Sequence, residues 1–74
     1  MEQRQRKPEI KKTLEAIIEE LLDGSILLSE AAGEFEKLYI TRALERNGKH
    51  ISKTAEQIGI HRNTLSKRLA EYEN

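Results

Sequence analysis

The segment from Ser29 to Asn47 places the tightest constraint on this chain. Read as a helix, it carries Ala32, Phe35, Tyr39 and Ala43 along one stripe, while Leu38, Ile40 and Leu44 spread around the rest. A helix apolar over so much of its circumference must be buried on more than one side. The chain has only 74 residues, of which 36% are hydrophobic. Below roughly 70–80 residues one core rarely supplies more than ~3–5 kcal/mol without disulfides, a metal or a partner. There is no cysteine, and two well-separated histidines, His50 and His61, do not make a metal cage. No cofactor is expected. A second copy of the chain is therefore the expected cover, and the reading is of a homodimer.

Hydrophobic period gives four helices and no strand. Residues 1–7 are polar and without periodicity, and read as a mobile basic tail. Pro8 suits the first turn of a helix, where its missing N–H is no loss. Ile10, Leu14, Ile17 and Leu21 then recur at helical spacing, with Ile18 and Leu22 widening the stripe, until Asp23-Gly24 closes the helix. Ser25 to Leu28 is an apolar connection, Ser29 a plausible N-cap, and the second helix runs from Glu30 to Arg46. Gly33 costs that helix about 1 kcal/mol relative to alanine and can mark a close backbone crossing. Asn47-Gly48 stops it. Two short helical patterns follow around Gly59: Ile51, Ala55 and Ile58 share one face, with Ser52 or His50 as cap, and Leu65, Leu69 and Tyr72 share the other. The organisation is a tail (1–7), dimerisation helices (8–46) and a C-terminal unit (47–74).

Lysines plus arginines equal the acids, but the signs are segregated. Residues 1–12 hold five basic and two acidic side chains; residues 13–36 hold seven acids and no base; residues 37–74 hold eight basic and four acidic groups. Within 46–68, Arg46, Lys49, Lys53, Arg62, Lys67 and Arg68 stand against Glu56 alone. This places an acidic half where the molecule holds together and a basic half where it meets a polyanion. No apolar run approaches the ~18 residues of a membrane span, and no signal peptide is visible. The chain reads as soluble and intracellular, with no membrane partner.

The stretch Ala55-Glu56-Gln57-Ile58-Gly59-Ile60 fits a helix-turn-helix, with a small residue where two helices touch and glycine in the turn four residues later. The run FEKLYITRALERNGKHISKTAEQIGIHRNTLSKRLAEY, residues 35–72, resembles the Fis-type DNA-binding domain, with GIHRNTLSKRL as its most specific part. That domain occurs in the factor for inversion stimulation and at the C-terminus of NtrC-type regulators. The resemblance fits both a stand-alone factor and the terminal domain of a larger activator, for which transcription machinery is a further partner. It implies an all-α fold of four helices per chain. It further implies that the first two helices of each chain form a dimeric four-helix core, here expected through Ile10, Leu14, Ile17, Ile18, Leu21, Leu22, Phe35, Leu38 and Tyr39, and that the last two form the helix-turn-helix.

On a wheel at 100° per residue, Asn63, Ser66, Lys67 and Ala70 of the last helix oppose Leu65, Leu69 and Tyr72, with Arg62, Thr64 and Arg68 on the flanks. Such a helix enters the major groove, and its N-terminal residues reach base edges. Arg62, which matches the family's DNA-contacting arginine, and Asn63 are the expected base contacts. Ser52, Lys53, Thr64, Lys67, Arg68, His61 and Lys49 are the expected phosphate contacts, which position without specifying. Three departures from the family pattern stand out. His61 occupies an N-cap where serine or asparagine is usual, and charge gained there would strengthen DNA binding mildly below pH ~6.5. Ser66 stands where a cation is common. His50 replaces a usual asparagine and reads as a turn residue.

The leading function is a homodimeric, sequence-tolerant binder of double-stranded DNA that regulates transcription or bends DNA. The alternative is a protein-interaction module whose helix-turn-helix docks another protein. An enzyme is not expected, since no nucleophile–base pair, phosphate-cradling loop or metal constellation appears.

Overall fold

The computed structural model describes residues 8–73. They form four helices, α1 (Pro8–Asp23), α2 (Leu28–Arg46), α3 (Ile51–Ile58) and α4 (Arg62–Glu73), with no strand among the described residues. The all-α expectation therefore holds. The tail expected at 1–7 lies outside the described residues. The chain divides into two compact units, one ending at Ala32 and one beginning at Gly33, so α2 runs from the first into the second. No helix among the described residues is long and apolar enough to cross a membrane.

In the first unit α1 begins at Pro8 and ends at Asp23 as its pattern requires. The left-handed residue is Ser25 (φ 57), not Gly24, and the N–H groups of Ser25 and Ile26 donate to the carbonyls of Leu22 and Leu21. These are the two reversed bonds that close a helix C-terminus when one residue turns left-handed. The start of α2 moves. The Leu27 N–H donates to Glu30 Oε1 at 3.2 Å and the Leu27 carbonyl accepts from Ala31. Leu27 thus holds the cap position and Glu30 reaches back as in a capping box, which leaves Ser29 inside the first turn. Along α1, Ile10, Leu14, Ile17, Ile18 and Leu22 are 42–64% exposed, and Leu21 is half-buried. Ile26, Leu27 and Leu28 extend this apolar surface into the connection.

The second unit is built on Ile40 of α2, Ala55 of α3 and the fully buried Leu65 of α4. Ile51, Ile58, Ile60, Leu69 and Tyr72 pack around them. Burying a leucine such as Leu65 contributes ~1.5–3 kcal/mol, a large share of what so small a core can supply. Helix α2 has two different apolar faces here. Ile40 and Ala43 are buried and Leu44 is half-buried, whereas Phe35, Leu38 and Tyr39 stay more than half exposed. Ala43 therefore sides with Ile40, one turn before it, rather than with Phe35 and Tyr39. The Phe35 and Tyr39 rings meet at 5.7 Å between centroids, tilted by 45°. A Cβ built on Gly33 would meet nothing within 4 Å, so no contact within the chain requires glycine there.

Candidate nucleic-acid interface

The turn into α3 follows from its glycine and asparagine. Gly48 is left-handed (φ 61), the Lys49 N–H donates to the Leu44 carbonyl at 2.8 Å, and α2 ends. Asn47 then ties α2 to α3: its Nδ2 donates to the Ala43 carbonyl at 2.9 Å and to Gln57 Oε1 at 2.7 Å. His50 caps α3, with Nδ1 accepting the Lys53 N–H at 3.2 Å, which resolves the choice between Ser52 and His50. Thr54 is fully buried and donates its hydroxyl to the His50 carbonyl at 2.8 Å, so the first turn of α3 is fastened twice.

Gly59 ends α3 in the left-handed region (φ 81), its N–H donating to the Ala55 carbonyl. Ile60 folds back onto the core. His61 then precedes α4, with Nδ1 accepting the Asn63 N–H at 3.1 Å and its carbonyl accepting from Leu65. Both helices of the motif thus begin on a histidine whose Nδ1 serves as acceptor. An Nδ1 that accepts a hydrogen bond leaves Nε2 to carry the proton of the neutral ring, and so to serve as a donor.

The wheel of α4 is realised: Leu65 is buried and Leu69 and Tyr72 are half-buried, while Arg62, Asn63, Thr64, Ser66, Lys67 and Ala70 are exposed. Arg62 and Asn63 occupy the first two positions of α4, where orphan N–H groups and the helix dipole favour anions. Ser52 and Lys53 are exposed in the first turn of α3, and Lys49 is exposed in the preceding turn with φ 65. The structure so gathers the expected contact residues onto α3, α4 and the two segments that introduce them.

Arg68 is the exception. Its Nη1 lies 3.6 Å from Glu36 Oε1 of α2, an ion pair that sequence reading does not reveal. Around it, Lys37 Nζ sits 5.9 Å from the centre of the Tyr72 ring. The Tyr72 hydroxyl is buried and makes no hydrogen bond among the described residues. Burial first, and the Glu36 charge second, push the Tyr72 phenol above its usual 10.0, with Arg68 pulling the other way. Glu36 acts on the phenol chiefly through its charge, with a weaker hydrogen-bonding share that falls short of good geometry. Among the described residues no group of histidines and carboxylates is arranged to hold a metal.

This helix-turn-helix segment, with its capped helices and exposed first turn of α4, has a sequence family. The family described as "Bacterial regulatory protein, Fis family" matches residues 31–72. The chain belongs to the Fis family. The match begins at Ala31, a turn earlier than the run read from sequence, and so adds residues 31–34 of α2 to it. Membership makes this a helix-turn-helix DNA-binding regulator, of a family that is not enzymatic. No significant match to a curated protein or to a solved structure accompanies it.

Glu36, Lys37, Asn47 and Gln57 are what sequence reading missed. Each acts across 10 or more residues, through one polar contact. Neither hydrophobic period nor capping patterns carry that information.

Proposed function

We propose that this protein binds double-stranded DNA as a homodimer with modest sequence preference, regulating transcription and bending the duplex. The observation that carries the reading is the exposed first turn of α4, with Arg62 and Asn63 at the start of a helix held by fully buried Leu65 and capped by His61. Arg62 and Asn63 read base edges. Ser52, Lys53, Thr64, Lys67 and Lys49 meet phosphates, as does His61 through its Nε2–H, and Arg68 does so when released from Glu36. With few base-reading side chains, much of the affinity is electrostatic, and part of the specificity comes from how readily a sequence deforms.

The dimer is supported by the apolar side chains the single chain leaves in water. Ile10, Leu14, Ile17, Ile18, Leu22, Phe35, Leu38 and Tyr39 are all exposed, and Leu21 only half-buried, beside a core of few residues. So much exposed apolar surface on so small a chain marks an interaction face. Pairing α1 and the outward face of α2 with a second copy gives a four-helix core, with residues 8–46 as dimerisation helices and 47–74 as the DNA-binding unit. A two-fold dimer prefers an inverted repeat, and if its two recognition helices lie closer than one helical turn, as the family resemblance implies, the duplex must bend to meet both. Residence with the nucleoid in the cytoplasm, and contact with transcription machinery, follow from this role.

Fluorescence anisotropy with a duplex of about 27 base pairs and an A/T-rich centre tests the reading. Arg62→Ala is expected to weaken binding by about 1–3 kcal/mol, the value of one good base contact. Absence of duplex binding even at low salt would move the function to protein docking.

A further inference from the structure

We propose that Glu36, on α2, sets how tightly the motif holds DNA by competing with the phosphate backbone for Arg68. The proposal rests on the DNA-binding reading above and assigns to α2 a role in a site otherwise made by α3, α4 and their introductory turns. Among the described residues Arg62 and Lys67 make no ion pair, whereas Arg68 faces a carboxylate of its own chain. A carboxylate and a phosphodiester present the same chemistry to a guanidinium, namely anionic oxygens that accept its N–H groups. The same arginine cannot serve both fully.

Two features make the pair exchangeable. The Nη1–Oε1 distance of 3.6 Å is well beyond the ~2.7–2.9 Å of a tight charge-assisted hydrogen bond. The two side chains are also 44% and 46% exposed, so water already screens the pair and a phosphate can approach it. Glu36 also faces the Tyr72 hydroxyl, but no hydrogen bond of good geometry joins them, and a glutamine in its place keeps an oxygen that can accept from the phenol. Helix α4 is held instead by Leu65 in the core and by Lys37 over the Tyr72 ring, neither of which needs the Glu36 charge. Glu36→Gln should therefore keep the fold and lose only the competitor.

The test measures duplex binding by anisotropy across a salt series for the full chain and for Glu36→Gln, Arg68→Ala and the double variant, with circular dichroism on each. Glu36→Gln is expected to bind about two- to fivefold tighter, the range of an exposed ion pair, with an unchanged salt slope. Arg68→Ala is expected to bind more weakly, with a slope shallower by about 0.9 for each Arg68 that meets a phosphate. The double variant should match Arg68→Ala. Glu36→Asp, which keeps the charge but withdraws it by one methylene, should fall between wild type and Glu36→Gln. A gain that persists without Arg68 would mean a general charge effect and overturn the proposal, as would an unchanged slope in Arg68→Ala. An unfolded Glu36→Gln would overturn it too, making Glu36 structural. Failure of the DNA-binding reading shows separately, as absence of duplex binding by the wild-type chain.

Discussion

Replacing Leu38 by alanine tests the proposed dimer separately from the proposed DNA-binding unit. Leu38 is 61% exposed and points away from the Ile40, Ala55 and Leu65 core, so its removal leaves that core intact. Full burial of a leucine stabilises by ~1.5–3 kcal/mol; with about 60% of its surface still to be covered, each chain stands to lose roughly 1–2 kcal/mol of association. Two-fold symmetry places the change on both chains, giving about 2–4 kcal/mol per dimer. At 1.4 kcal/mol per decade this is roughly a 30- to 700-fold weaker dimer constant. Sedimentation equilibrium over a concentration series reads it directly, and a melting temperature that rises with protein concentration gives an independent measure. The reasoning fails if Leu38→Ala associates as wild type does, or if the wild-type chain stays monomeric throughout the series.

Three further outcomes follow from particular contacts. Leu65→Ala, at the fully buried centre of the second unit, is expected to cost about 2–5 kcal/mol and to unfold α3 and α4 by circular dichroism, since so small a core has little in reserve. Tyr72 carries a raised pKa, so its protonated form is favoured in the fold. Its contribution is complete below about pH 10 and is lost as pH rises through the higher folded value, and Tyr72→Phe should remove that alkaline loss in a melting-temperature series. Gly33→Ala gains about 1 kcal/mol of helix propensity where space is open, as it is within one chain. If a partner helix crosses closely at Gly33, association weakens instead, which sedimentation reads directly.

Most of the backbone plan could be read from residue types because its causes are local. Pro8, Gly48 and Gly59 act within a turn of themselves, and the Leu65, Leu69 and Tyr72 stripe needs only the helical period. The misreadings were equally local. Ser29 looked like the cap because serine caps well, yet Glu30 reaching back to the Leu27 N–H starts α2 earlier. Leu28 reads as the end of an apolar connection, yet it is the first residue of α2. The candidate site was legible where it lies along one helix face, from Arg62 to Lys67. It was not legible where polar partners meet across the fold: an arginine and a glutamate 32 positions apart, such as Arg68 and Glu36, leave no periodic trace.

The central claim is a two-fold dimer that engages one duplex through α4. Sedimentation of the protein with a single duplex of about 27 base pairs, repeated as salt is raised, tests it most directly. Two chains per duplex are expected, with log K falling linearly against log salt as phosphates release counterions. One chain per duplex, or an affinity indifferent to salt, would contradict the account.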